Sequence, residues 1–210
     1  MFVSPASRQS KRGSEQSGQT LVEFALVIPF VMILFMALVE VALAFNAFVA
    51  INRASQNGGH LAAIMTNQVG ADCLILSEIE DDVQSPNRRS NIINVVVERT
   101  ALAGNFSYQN QHYDRVGQMT CTLPDGTDID VPYTLRPPTV DEPAYPEDER
   151  CPVLKGCPDL SRSTVDNIGV KVRYRHDWVT PLSVAMDFLP GGRNGWAFTQ
   201  RNIFRMEPTL

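Results

Sequence analysis

The residue that asks most of its surroundings is Glu23. It stands in Ser17-Gly18-Gln19-Thr20-Leu21-Val22-Glu23-Phe24, five residues after a glycine, and from Phe24 to Val39 no charge follows it. A carboxylate heading such a run costs roughly 2.5–3.5 kcal/mol at the centre of a bilayer and less near its edge. It therefore calls for a cationic partner, since an opposite charge in low dielectric offsets that cost. The other reactive side chains are less organised. His112-Tyr113-Asp114 and His176-Asp177 put imidazoles beside carboxylates. Neighbours on a strand point to opposite faces, so neither pair is set to share a proton. His60 has no such neighbour, no active site is expected, and the chain reads as a non-enzyme. Asp125, Asp128 and Asp130 offer oxygen ligands, but not at EF-hand spacing, so a solvated turn is expected there.

The four cysteines are Cys73, Cys121, Cys151 and Cys157, all beyond the apolar run. On an oxidising side they can form two disulfides, with three possible pairings. Five residues separate Cys151 from Cys157, there is no CxxC, and no histidine sits at zinc-finger spacing, so disulfides are expected rather than metal. No cofactor is implied. The first 18 residues hold Arg8, Lys11 and Arg12 against Glu15, a charge of +2, which leaves −7 on the rest of a chain whose net charge is −5. An acidic body of this kind is no partner for nucleic acid.

These residues need elements to position them. Residues 1–18 are polar, rich in Ser and Gly, without periodicity, and expected to be disordered. Residues 19–51 are apolar, and between Leu21 and Phe45 the only charges are Glu23 and Glu40. Twenty to 25 helical residues span a hydrocarbon core of about 30 Å, and a helix with no polar face suits lipid better than a soluble core. Pro29 removes one backbone hydrogen bond and is expected to kink it. Glu40 lies about 25 Å beyond Glu23 along the helix, at the opposite interface. The basic residues precede the span, with only Arg53 close behind it, so the positive-inside rule leaves the N-terminus cytoplasmic and the body outside.

Ala47, Ile51, Ala54, Gly58, Leu61 and Met65 continue the helical spacing, with Gly58-Gly59 as a hinge or helix end. Residues 71–84 read as a second helix with Cys73 near its start. Ile92–Arg99 reads as a central strand, Gln118–Leu123 as a short strand before a Pro124-Asp125-Gly126 turn, Ile168–Trp178 as a half-buried strand, and Trp196–Met206 as a last strand after Pro190-Gly191-Gly192. Lys171, Arg173 and Arg175 share one face of the third of these, as surface charges or ion-pair partners. Residues 132–158 hold seven prolines and read as a loop pinned by Cys151 and Cys157. The fold class is α+β: a long N-terminal transmembrane helix followed by a small antiparallel β-rich extracytoplasmic domain. The expected divisions are 1–18, 19–70 and 71–210.

A basic leader, a Gly-x-x-x-x-Glu-Phe core and an apolar helix in direct succession resemble the class III signal sequences of type IV prepilins and pseudopilins. SGQTLVEFALVIPF is similar to the TadE-like minor pseudopilins of the tight-adherence (Tad/Flp) pilus system. The resemblance is firm over about residues 8–55. It implies a prepilin peptidase that cuts between Gly18 and Gln19, with Glu23 and Phe24 opening the assembly helix. It also implies that Glu23 pairs with the N-terminal amine of a neighbouring pilin or pseudopilin subunit. The protein would then be a single-pass inner-membrane protein able to enter a pilus and serve adhesion. Two other readings remain: a Sec-secreted domain cut after Ala42-x-Ala44, and an uncleaved signal-anchored domain that binds a ligand or catalyses a reaction.

Overall fold

The computed structural model describes residues 15–100, 107–152, 165–181 and 195–206. Its first element is a single helix, α1 (Glu15–Met65), which includes Pro29 and runs on through Gly58-Gly59. The last four residues of the stretch expected to be disordered, 15–18, are thus helical. The glycine pair neither ends nor hinges the helix, because packing overrides its weak helix propensity. A Cβ at Gly58 would meet Ile79 at 3.0 Å, and one at Gly59 would meet the Phe204 ring at 2.6 Å, so the pair lets other elements approach closely. The helix stops at Thr66, which takes a left-handed φ of 50°. Gly70, also left-handed, leads into α2 (Ala71–Asp82).

The remaining elements are strands: β1 (Ile92–Thr100), β2 (Ser107–Asp114), β3 (Met119–Thr122), β4 (Asp128–Val131), β5 (Thr134–Leu135), β6 (Asn167–His176) and β7 (Trp196–Arg205). Five form an antiparallel sheet in the order β5-β2-β1-β6-β7, with β1 at its centre. β3 and β4 form a separate hairpin. Its turn is closed by Leu123 N–H to Thr127 O at 2.8 Å, with Gly126 supplying the φ of 85° that a side chain would disfavour. The strands expected from alternation lie where their patterns put them. β2, β4 and β5 were not expected, β5 lying within the stretch read as a loop, where it pairs with the edge of β2, and the Pro190-Gly191-Gly192 turn lies outside the described residues.

One face of the sheet carries Val95 and Val97 from β1 and Ile168, Val170, Val172 and Tyr174 from β6, all buried. Phe198 and Phe204 of β7 join them. This face packs on Ala47, Ile51 and Ala54 of α1 and on Ile75, Leu76 and Ile79 of α2. Each large aliphatic side chain so buried contributes about 1.5–3 kcal/mol. Ser55 Oγ donates to the Val170 carbonyl at 2.7 Å and ties α1 to the sheet within this core.

The proline-rich stretch is held by buried charge more than by regular structure. Arg150 is fully buried and pairs with Asp72 at the start of α2. Tyr113 also donates to Asp72. Glu147 accepts from the backbone N–H groups of Gly70 and Asp72 at 2.9 and 2.6 Å. Asp166 accepts from Arg99 at 2.6 Å, and from Tyr145 and the Cys151 N–H at 3.1 Å each. Glu80 accepts from Arg115 at 2.7 Å and Tyr133 at 2.8 Å. Burial, followed by the neighbouring carboxylates, raises all three tyrosines far above their ordinary range, so they stay hydroxyl donors. Burial also raises Glu147 above the usual carboxylate range, with Asp72 adding to the effect.

Candidate functional site

Gly18, Gln19, Glu23 and Phe24 lie on consecutive turns near the start of α1. Among the described residues nothing lies within 4 Å of a Cβ built on Gly18. Gln19 and Glu23 are exposed and face each other across one turn, Gln19 Nε2 donating to Glu23 Oε1 at 3.2 Å. Phe24 is exposed, and so is every side chain from Gln19 to Phe35. Leu21–Val39 is about 28 Å of helix, close to the thickness of a hydrocarbon core. Among the described residues one helix, Gly18–Met65 near the N-terminus, is long and apolar enough to cross a membrane. From Gln19 to Phe35 every side chain of that helix is exposed, so this part buries almost none of its surface against the described residues.

Burial begins abruptly at Glu40, which is 2% exposed. Glu40, expected at the opposite interface from its distance beyond Glu23, is bound by the protein itself. Its two oxygens accept from the backbone N–H groups of Val179 and Thr180 at 2.8 and 3.1 Å. His176 Nε2 lies 3.4 Å away. The acid therefore joins the helix to the loop after β6. Glu40, Ala44, Ala47, Ile51 and Ala54 form one stripe at helical spacing. An acid at the end of a stripe of small residues was the signal available in the sequence.

The other candidate groups are dispersed. Cys73 and Cys121 are disulfide-bonded, with Cα atoms 6.2 Å apart, and link α2 to the β3–β4 hairpin. Cys151 is buried and disulfide-bonded, while Cys157 lies outside the described residues. His112 faces Glu142 at 3.4 Å, and burial lowers its pKa. Asp177 pairs with Arg175 at 3.2 Å, whereas His176 turns to Glu40. The His60 ring meets Phe204 edge-on. Asp125 accepts from the Thr127 N–H, and Asp128 and Asp130 accept from the hydroxyls of Thr122 and Thr120 across the hairpin. Lys171 and Arg201 both engage Glu98, which is fully buried.

The family model for TadE-like proteins matches residues 18–60. No curated protein matches the chain. No solved structure matches it either. The matched stretch contains the Gly18-to-Phe24 motif, the whole bare span and most of the packed half of α1. Over residues 18–60, about a fifth of its length, the chain is similar to TadE-like proteins.

Proposed function

We propose that this protein is a pseudopilin-like structural subunit of a Tad/Flp-type surface pilus, processed by a prepilin peptidase between Gly18 and Gln19. In this reading residues 1–18 are the cytoplasmic leader, 19–70 the assembly helix with its extension, and 71–210 the domain outside the inner membrane. The supporting observation is the form of α1: one continuous helix, bare over the length of a bilayer, with an exposed carboxylate at its head and a folded domain built on its other half.

Cleavage at Gly18–Gln19 requires the helix to open there. Glycine lowers that barrier, since it is about 1 kcal/mol less favourable than alanine inside a helix. Once cut, the chain begins with the amine of Gln19 and has Glu23 in its first turns, where the helix dipole favours a negative charge. Gln19 Nε2 is a neutral partner for Glu23, and a neighbouring subunit's amine is a better one, because in lipid a charge pair offsets two desolvation costs. Such pairing sets the axial step between subunits.

The experiment is intact mass and N-terminal sequencing of protein purified from its native membrane. A start at Gln19 is expected. A start near Phe45 makes it a secreted domain, a Met1 start makes it a plain anchor, and either overturns the proposal. The assembly role is read from Glu23→Ala, expected to be cut normally yet enter pili, or support their formation, poorly.

A further inference from the structure

The end of the sheet nearest the bare span carries an unusual concentration of side chains. β6 ends at His176 and β7 begins at Trp196, and the two residues are paired in register. The loop after β6 is fixed at the level of Glu40 by the Val179 and Thr180 N–H groups. Glu40 directly follows the bare stretch, so this rim lies where the hydrocarbon gives way to headgroups. The protein's only two tryptophans are here. Trp178 and Trp196 meet edge to face with ring centroids 5.1 Å apart. Trp196 is 41% exposed and Val179, between the tryptophans and Glu40, 69%. Beside them the loop before β1 is tied to α1 by Asn87 Nδ2 to Asn46 Oδ1 at 3.0 Å. A cleft of about 180 Å³ between loop and helix is lined by Leu43, Asn87, Arg88 and Trp178.

Charge on this rim runs against the charge of the whole. Arg88, Arg89, Arg173 and Arg175 are exposed there. Arg89 pairs with Asp81 and Arg175 with Asp177. Among the described residues, four arginines stand against Asp81, Asp177 and the buried Glu40, so the charge this rim turns outward is basic on a chain whose net charge is −5.

We infer that this rim is a lipid-docking surface, by which the outer domain sits on the leaflet its own helix leaves. The inference rests on the reading of α1 as a membrane anchor. Trp178, Val179 and Trp196 enter the headgroup layer, the depth at which amphipathic indole rings are most favourable. Arg88, Arg173 and Arg175 take lipid phosphates, which accept from the guanidinium fork. Helix and rim meet the same bilayer, so the rim continues the surface along which the helix contacts lipid. Two attachments, one through α1 and one through the rim, fix the tilt of the domain on the membrane.

The test is tryptophan fluorescence of the full chain reconstituted into vesicles of phosphatidylethanolamine and phosphatidylglycerol. Expected are a blue-shifted emission, protection from aqueous acrylamide, and quenching that is stronger with lipids brominated near the headgroup than near the chain end. Replacing phosphatidylglycerol by phosphatidylcholine is expected to red-shift the emission. Acrylamide-accessible, red-shifted emission unaffected by brominated lipid overturns the inference, and so does a blue-shifted emission that brominated lipid does not quench, which marks a protein neighbour. The anchor is read separately, with Phe30→Trp in a Trp178→Phe, Trp196→Phe background. Deep quenching of that reporter alongside unquenched native tryptophans refutes the rim alone. An unquenched reporter refutes the anchor, and with it both readings.

Discussion

The two halves of α1 use one backbone geometry for opposite ends. From Phe24 to Phe35 the side chains are mostly large and apolar, and all are exposed, with no face distinguished from another. From Glu40 to Met65 a buried stripe of Ala44, Ala47, Ile51, Ala54, Gly58 and Ala62 alternates with exposed Phe45, Arg53, Gln56 and His60. The first half offers a surface that any apolar phase accepts, whether lipid or other helices. The second is cut to fit one sheet and one helix. Each half has its own acid: Glu23 faces outward with a neutral glutamine across one turn, whereas Glu40 is buried and held by two backbone N–H groups. Small side chains matter more than apolar ones in deciding which half folds against protein, because they set how close another element can come.

Denaturation of the detergent-solubilised full chain, followed by tryptophan fluorescence, tests that contrast. The largest expected effect is from Ile51→Ala, which opens a cavity in the buried stripe and costs about 2–5 kcal/mol. Leu34→Ala, in the bare half, is expected to change stability by less than about 0.5 kcal/mol. Next is Glu40→Ala, expected to cost about 1.5–3 kcal/mol as the two loop N–H groups lose a charged acceptor. Glu23→Ala leaves domain stability unchanged in the same assay. Gly59→Ala forces the Phe204 ring to move and is expected to cost about 1–3 kcal/mol. By contrast Gly18→Ala meets no neighbour among the described residues and is read only in the extent of leader cleavage. The smallest effect lies outside α1. Burial raises the Glu147 pKa, so the stability linked to its protonation is fully present below about pH 4.3, its unfolded value, and is lost as pH rises through the folded value. Between pH 7 and pH 4 the wild-type chain is therefore expected to gain stability relative to Glu147→Gln, measured by denaturation at each pH.

Much of this fold was legible because its signals are local. The apolar span, the alternation of Ile168 to Trp178, the Val95–Val97 run and the Pro-Asp-Gly turn each carry their own period or turn chemistry. β2 was not legible, because Gln109, Asn110, Gln111, His112 and Asp114 give it no apolar alternation. Its inward Gln111 is instead satisfied by the Tyr145 N–H at 3.3 Å. The order of the proline-rich stretch was hidden too. It rests on Arg150, Tyr133 and Tyr145 meeting carboxylates 78, 53 and 21 positions away, and no spacing rule brings such pairs together. Gly58-Gly59 misled for a related reason: local propensity argued for a break, while the approach of Ile79 and Phe204 supplied the reason for glycine. At the N-terminal site the motif was readable, but the docking of Glu40 was not, since its partners are main-chain groups about 140 positions away.

The alignment of α1 along the sheet has a mechanical consequence. Phe48 meets Phe198, Asn52 meets Asn202 and Gly59 approaches Phe204, so helix and β7 advance together, with Ser55 bonded to β6 alongside. A pull along the helix axis is therefore shared by these contacts at once, as shear, rather than peeling them apart one after another. A chain drawn out of a membrane by its helix would carry its domain as a rigid load, with Glu40 and its two amide partners at the leading edge.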